Sequence, residues 1–341
     1  NLGGTAISVV GGTGHRVVSC DVHDVGEAGI SVEGGDRRTL TPARHEVLNN
    51  HVHHFAAWVF TYRPGIRLAG VGCRAAHNLI HHTPHMAVGI SGNDHLFELN
   101  EIHSAVYETD DAGALYTGRN PSLRGNVIRH NYWHHIGSGL AHGQAAIYLD
   151  DGVCGTLVEG NVFYRAGGGS FGAVFVHGGK ENLFQNNLFV ECPIAAAFSP
   201  WSDERWRNFL KSELITERLY KEIDVRKPPY ITRYPELARL PENSGVNTLR
   251  RNVALRCGRF LREKGGDVQQ LSQNLELADL PALRFEGEGR PVLDPDLPVL
   301  REIGFEPIPF REIGLVRDAL RPVWPVVHPP RPLPEGDGGA R

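Results

Sequence analysis

Apolar residues over the first two hundred positions come in short alternating runs, not in helical stripes. One run recurs as Gly29-Ile30-Ser31-Val32, Gly89-Ile90-Ser91, Ala114-Leu115-Tyr116-Thr117, Ala146-Ile147-Tyr148-Leu149 and Ala173-Val174-Phe175-Val176. A second recurs in phase with it, as Asn, any residue, an apolar residue, then often His. Its copies begin at Asn50, Asn78, Asn100, Asn131, Asn161, Asn187 and Asn252, and Cys20-Asp21-Val22-His23 reads as an earlier copy with Cys in the Asn place. From Asn50 to Asn187 the spacings are 28, 22, 31, 30 and 26 residues. Alternation is the period of a strand. Two short strands per unit, with no helix between them, predict the coils of a right-handed parallel β-helix, a pectate-lyase-like all-β solenoid. Successive coils stack about 4.8 Å apart, so equivalent residues form ladders. The repeated Asn fits such a ladder, because Asn tolerates a left-handed bend and its amide can bond the Asn of the next coil.

The pattern predicts a β-helix domain over 1–290, interrupted by an insertion at about 200–245. Within it, 203–223 carries Trp206, Leu210, Leu214, Leu219 and Ile223 at helical spacing. From 291 to 341 the chain is a Pro-rich tail. Its first part is expected along the solenoid flank or over its end, and its last dozen residues are expected to be disordered. The chain already reads as coil at its start, with no cap before it, so a preceding segment is expected.

Composition narrows the function classes. There are 40 Gly, 18 His and a single Met, and the net charge is −4. That charge gives no footing for nucleic acid. No apolar run approaches the roughly 18 residues of a membrane span. The five cysteines, Cys20, Cys73, Cys154, Cys192 and Cys257, form no CxxC pair and read as free thiols.

Two acidic pairs stand out: Asp110-Asp111 ahead of one strand and Asp150-Asp151 at the end of the next. Aligning the coils sets Tyr116 over Tyr148 and Phe175, Gly118 over Asp150 and His177, and Arg119 over Asp151. Charges laid side by side belong on an outer face. They predict a groove with an acidic floor and a rim of Tyr116, His142, Tyr148 and His177. Two carboxylates across a scissile bond are the equipment of a glycosidase, one as proton donor and one as base or nucleophile. The histidine runs at 51–54 and 77–85 invite a metal. Neighbouring strand residues face opposite sides, however, so only part of each run can converge, and no metal ligand is assigned. No cofactor is required on this reading, although Asp residues and carbonyls leave room for a structural calcium.

The stretches "NEIHSAVYETDDAGALYTGR", "NVIRHNYWHHIG", "AIYLDDGVCGTLVEGNVFY", "PPYITRYPELARL" and "GFEPIPFREIGL" resemble β-helix proteins of glycoside hydrolase family 141. The resemblance spans about 20–315. It implies a secreted or periplasmic bacterial enzyme acting on plant or algal polysaccharide, with α-L-fucosidase and xylanase among the family's activities; a monomer is expected. It also implies two catalytic Asp residues about forty positions apart on neighbouring coils. That carries over to Asp110 or Asp111 with Asp150 or Asp151; Asp111 and Asp151, 40 apart, are favoured. Arg119, His142, His177, Tyr116 and Tyr148 are then the sugar-binding set. Two rival classes remain: a polysaccharide lyase or epimerase, and a non-catalytic carbohydrate-binding β-helix or adhesin.

Overall fold

The computed structural model describes residues 2–264, 268–279, 283–286, 289–294, 296–326 and 328–334. Three parallel sheets run along one solenoid axis, and among the described residues nine strands stack in each. The first sheet holds the strands Ile30–Gly34, Ile66–Val71, Val88–Asn93, Ala112–Gly118, Gly143–Asp150 and Val174–His177 among others. The third holds His51–His53, Leu79–Thr83, Glu101–Ala105 and Tyr132–Ile136, the Asn-led motif. These are the two strands the sequence pattern predicts. The pattern misses a middle sheet of strands such as Arg74–Ala76, Leu96–Glu98 and Val127–Arg129. Three residues are too few to display an alternation.

The interior is a column of one residue type per rung. Val52, Ile80, Ile102, Trp133, Phe163 and Phe189 follow one another inward from the third sheet. Phe163 and Phe189 stack with ring centres 4.8 Å apart. Beside this column runs the Asn ladder. Each side-chain amide donates to the next carbonyl oxygen, from Asn50 through Asn78, Asn100, Asn131, Asn161, Asn187 and Asn252 to Asn274, at 2.8–3.1 Å. Cys20 takes the Asn place as expected, its N–H donating to Asn50 at 3.0 Å. Every amide of this ladder thus has a partner, which removes the penalty for placing it in the core.

Between Ser199 and Thr248 the chain leaves the solenoid. Asp203–Lys211 is helical, capped at its start by Ser202. Ser212 breaks the helix in an extended conformation before Glu213–Thr216 resumes it. That break shifts the phase. Trp206, Leu219 and Ile223 are buried as the spacing predicts, but Leu214 is exposed and Ile215 takes its place.

The C-terminal segment lies on the outer face of the third sheet. Leu283, Leu300, Phe305 and Ile313 cover Tyr132, Tyr164, Val190 and Leu255. Further on, Arg321 is buried against Asp21 at 2.7 Å. The closing stretch from 335 lies outside the described residues. All five cysteines are free.

Candidate active site

The outer face of the first sheet holds the acidic pairs. Register sets Tyr116 beside Tyr148 and Gly118 beside Asp150, and Tyr148 in turn beside Phe175. The sheet bends at Gly113, where any side chain would meet Tyr148 Cβ at 2.6 Å. That bend folds the start of one strand toward the middle of its neighbour. Asp111 therefore reaches the Tyr148 hydroxyl, which donates to its carboxylate at 3.3 Å.

The two acids of each pair differ in backbone and in partners. Asp111 and Asp151 have left-handed backbones, at φ 50° and 38°. Each donates its N–H to the carboxylate before it, Asp111 to Asp110 at 3.1 Å and Asp151 to Asp150 at 2.8 Å. Asp110 also accepts from the N–H groups of His142 and Gly143 and from the Gln144 amide, at 2.9, 2.7 and 2.5 Å. Burial works to raise its pKa, but these donors outweigh it and hold the carboxyl below the usual range. Asp150 is buried and accepts from the Tyr116 hydroxyl at 2.8 Å.

His177 binds the second pair together. Its Nδ1 lies 3.1 Å from Asp150 and 3.3 Å from Asp151. Desolvation works against its charged form, yet the two carboxylates prevail and raise its pKa to about 9. Asp151 is held below the ordinary range by that imidazole and by Arg119, whose Nε donates at 3.0 Å. Burial and the neighbouring Asp charges push the Tyr116 and Tyr148 hydroxyls above their usual range, so both act as neutral donors.

These groups open into a cleft of about 450 Å³. Asp111, Asp150, Asp151, Arg119, His142, Tyr148 and His177 line it, while Asp110 and Tyr116 stand behind the wall as supports. Sequence reasoning missed the rest of the lining. Phe171 and Phe175 stack at 3.8 Å and make an apolar floor beside Tyr148. Arg262 and Lys264 bring two cations from beyond the helical insertion. Phe175 was in view as a rung over Tyr148, but Arg262 and Lys264 lie outside any repeated motif. The insertion closes one end: Trp201 sits edge-on to His177 at 5.2 Å, and Arg218 donates to the Arg119 carbonyl at 2.6 Å. Donor atoms of Asp150, Asp151 and His177 lie within 4.8 Å of one another. A divalent cation there would have to displace the His177 proton and compete with Arg119.

The family described as right handed beta helix region matches residues 5–198, more than half of the chain. The chain belongs to this family. The β-helix is a scaffold of carbohydrate-active, pectate-lyase-like proteins, and a cleft on its outer sheet face agrees with that setting. No curated protein matches the chain. Among the described residues no helix is long and apolar enough to cross a membrane.

Proposed function

We propose that the protein is a glycoside hydrolase of a xylan- or pectin-type cell-wall polysaccharide, acting outside the cytoplasm. The resemblance to glycoside hydrolase family 141 favours this reading. The observation that carries it is the meeting of Asp111 with Asp150-Asp151 in one cleft, through the Tyr148 hydroxyl and His177. In this reading Asp151 is the base or nucleophile, because Arg119 and His177 keep it ionised. Asp111, exposed and paired with no Arg or Lys among the described residues, donates the proton to the leaving oxygen. Asp110 and Asp150 hold the backbone of their neighbours. Phe171, Phe175 and Tyr148 supply a face for a sugar ring.

The test is release of new reducing ends from a panel of plant and algal polysaccharides. Asp111→Asn and Asp151→Asn are each expected to lose roughly 10²–10⁴-fold in turnover. The exposed Asp111→Asn should keep its Tm. Wild-type turnover in both variants would overturn the assignment.

A second reading rests on Arg119, Arg262 and Lys264, which give the cleft the cations to hold a uronate. A lyase would use such a cation-lined site to neutralise the uronate carboxylate, and Lys264 or Arg262 would take the proton beside it. Elimination breaks the bond between the uronate ring and the glycosidic oxygen, so each cut would leave an unsaturated, ultraviolet-absorbing end on one product and a reducing end on the other, and ultraviolet absorption separates it from hydrolysis.

A further inference from the structure

A second concentration of chemistry lies on the outer face of the third sheet, away from the cleft. His53, His81 and His103 take equivalent places on three consecutive strands, with ring centres 5.0 and 4.5 Å apart. Alternation should send the next residue of each strand to the other side. It does not, because His54 and His82 sit at φ 49° and 54°, left-handed bends just after the strand His51–His53 and within the strand Leu79–Thr83. His54 and His82 therefore stack on each other at 4.8 Å, and the His82 ring stands 4.8 Å from His81. The C-terminal segment adds His328, whose ring lies 4.6 Å from His53, 5.3 Å from both His54 and His81, and 6.1 Å from His82. The His-rich runs do not converge whole: His85 turns away to pack on Tyr62.

The nitrogens are arranged as well as crowded. His81 and His82 bring their Nδ1 atoms to 2.6 Å of each other. The other His81 nitrogen, Nε2, is engaged by His51 Nε2 at 2.8 Å, and His51 Nδ1 faces Asp21 at 3.9 Å. His103 Nδ1 meets the Ser104 hydroxyl at 3.0 Å, which leaves its Nε2 for another partner. One donor atom from each of His81, His82 and His103 lies within 4.8 Å of the other two. Histidine ligands to metals are oriented in this way, with the far nitrogen held by a protein group.

The geometry points to a transition-metal site in which His81, His82 and His103 bind a late first-row dication such as Zn²⁺; His328 lies outside that 4.8 Å set and would have to swing in to serve as the fourth ligand. An all-imidazole set suits Zn²⁺, Co²⁺, Ni²⁺ or Cu²⁺ and not the oxygen-seeking Ca²⁺ or Mg²⁺. At metal–nitrogen distances of about 2.0–2.1 Å, tetrahedral ligands stand roughly 3.3 Å apart. His81 and His82 need to part by less than about 1 Å to admit the ion on that geometry. Because His328 belongs to the tail, the ion would pin the C-terminal segment onto the early coils. The competing structure is a stack of neutral imidazoles that seats the tail with no ion.

The experiment uses the full chain without a histidine tag, stripped with chelator and then titrated with Zn²⁺ or Co²⁺ by calorimetry. Binding of about one ion per chain is expected on the four-ligand geometry. With it should come a rise in Tm that chelator reverses, and visible Co²⁺ absorption of the tetrahedral kind. His82→Gln, at a half-buried position that should tolerate the change, is expected to weaken binding at least about tenfold. His328→Gln should weaken it less, and His85→Gln not at all. No retained ion and no Tm shift in the wild-type chain would overturn the proposal. Equal binding by His82→Gln and the wild type would overturn it too. None of these readouts involves a polysaccharide, so the result is independent of the proposed hydrolase activity.

Discussion

Asp110 and Asp150 each accept the N–H of the Asp that follows, and that bond separates a supporting acid from a presented one in both pairs. The sequence shows the pairs and their spacing. It does not show this division, which depends on a left-handed backbone at Asp111 and Asp151 that no residue type announces. His177 is the residue whose charge most depends on the pair. Its pKa rises from about 6.5 in an unfolded chain to about 9 in the fold, so its contribution is complete below the first value and disappears as pH climbs through the second. That contribution is at most roughly 3–4 kcal/mol, at about 1.4 kcal/mol per pKa unit. The stability gap between wild type and His177→Gln should therefore close between pH 6.5 and 9, as read by urea unfolding across that range. In the ladder, Asn131→Ala would leave the Asn100 N–H without its acceptor, while the Asn100 side-chain amide keeps the Ala75 and Glu98 carbonyls. A loss of roughly 1–3 kcal/mol is expected for that buried group left unpaired, and a lowered urea midpoint would report it.

At the scale of elements, legibility follows length and repetition. The Asn-led strands and the small-apolar strands could be found because they recur in phase with a fixed rung. The middle sheet could not, since its three-residue strands carry no pattern of their own. A second amide corner escaped for a related reason. His95 there accepts from the Cys73 N–H, Asn126 from the His95 N–H and Asn182 from the Thr156 N–H, so the rung changes residue type from coil to coil. The helical insertion was visible through its period, but one break at Ser212 exchanged Leu214 for Ile215. That exchange can be measured. Trp206, fully buried with its indole N–H on the Leu240 carbonyl at 3.0 Å, should cost about 3–5 kcal/mol when replaced by Ala. Leu214→Ala, on the exposed side, should stay within about 0.5 kcal/mol. Thermal unfolding of the two variants distinguishes the observed phase from the unbroken one.

For the molecule as a whole, the outer face of the third sheet depends on the tail that covers it. Arg321 fastens that tail, donating to Asp21 and to the carbonyls of Cys20 and Asn49. Arg321→Ala is expected to cost roughly 1–3 kcal/mol, since Asp21 is half exposed and its pairing is partly screened. Faster proteolysis of the segment beyond residue 315 would be the readout. The insertion has the opposite relation to the solenoid. The Asn187–Asn252 rung bridges 65 residues, where the preceding rung bridges 26, and both bonds are of ordinary length at 2.9 and 3.1 Å. Closing the longer loop costs only about 0.8 kcal/mol more, on a (3/2)RT ln n dependence. The coils are therefore nearly indifferent to what is spliced between Ser199 and Thr248, while the cleft, which that excursion walls at one end, is not. The same gap is thus a grafting port, where a new lobe can reshape what the cleft admits without touching the ladder that holds the fold.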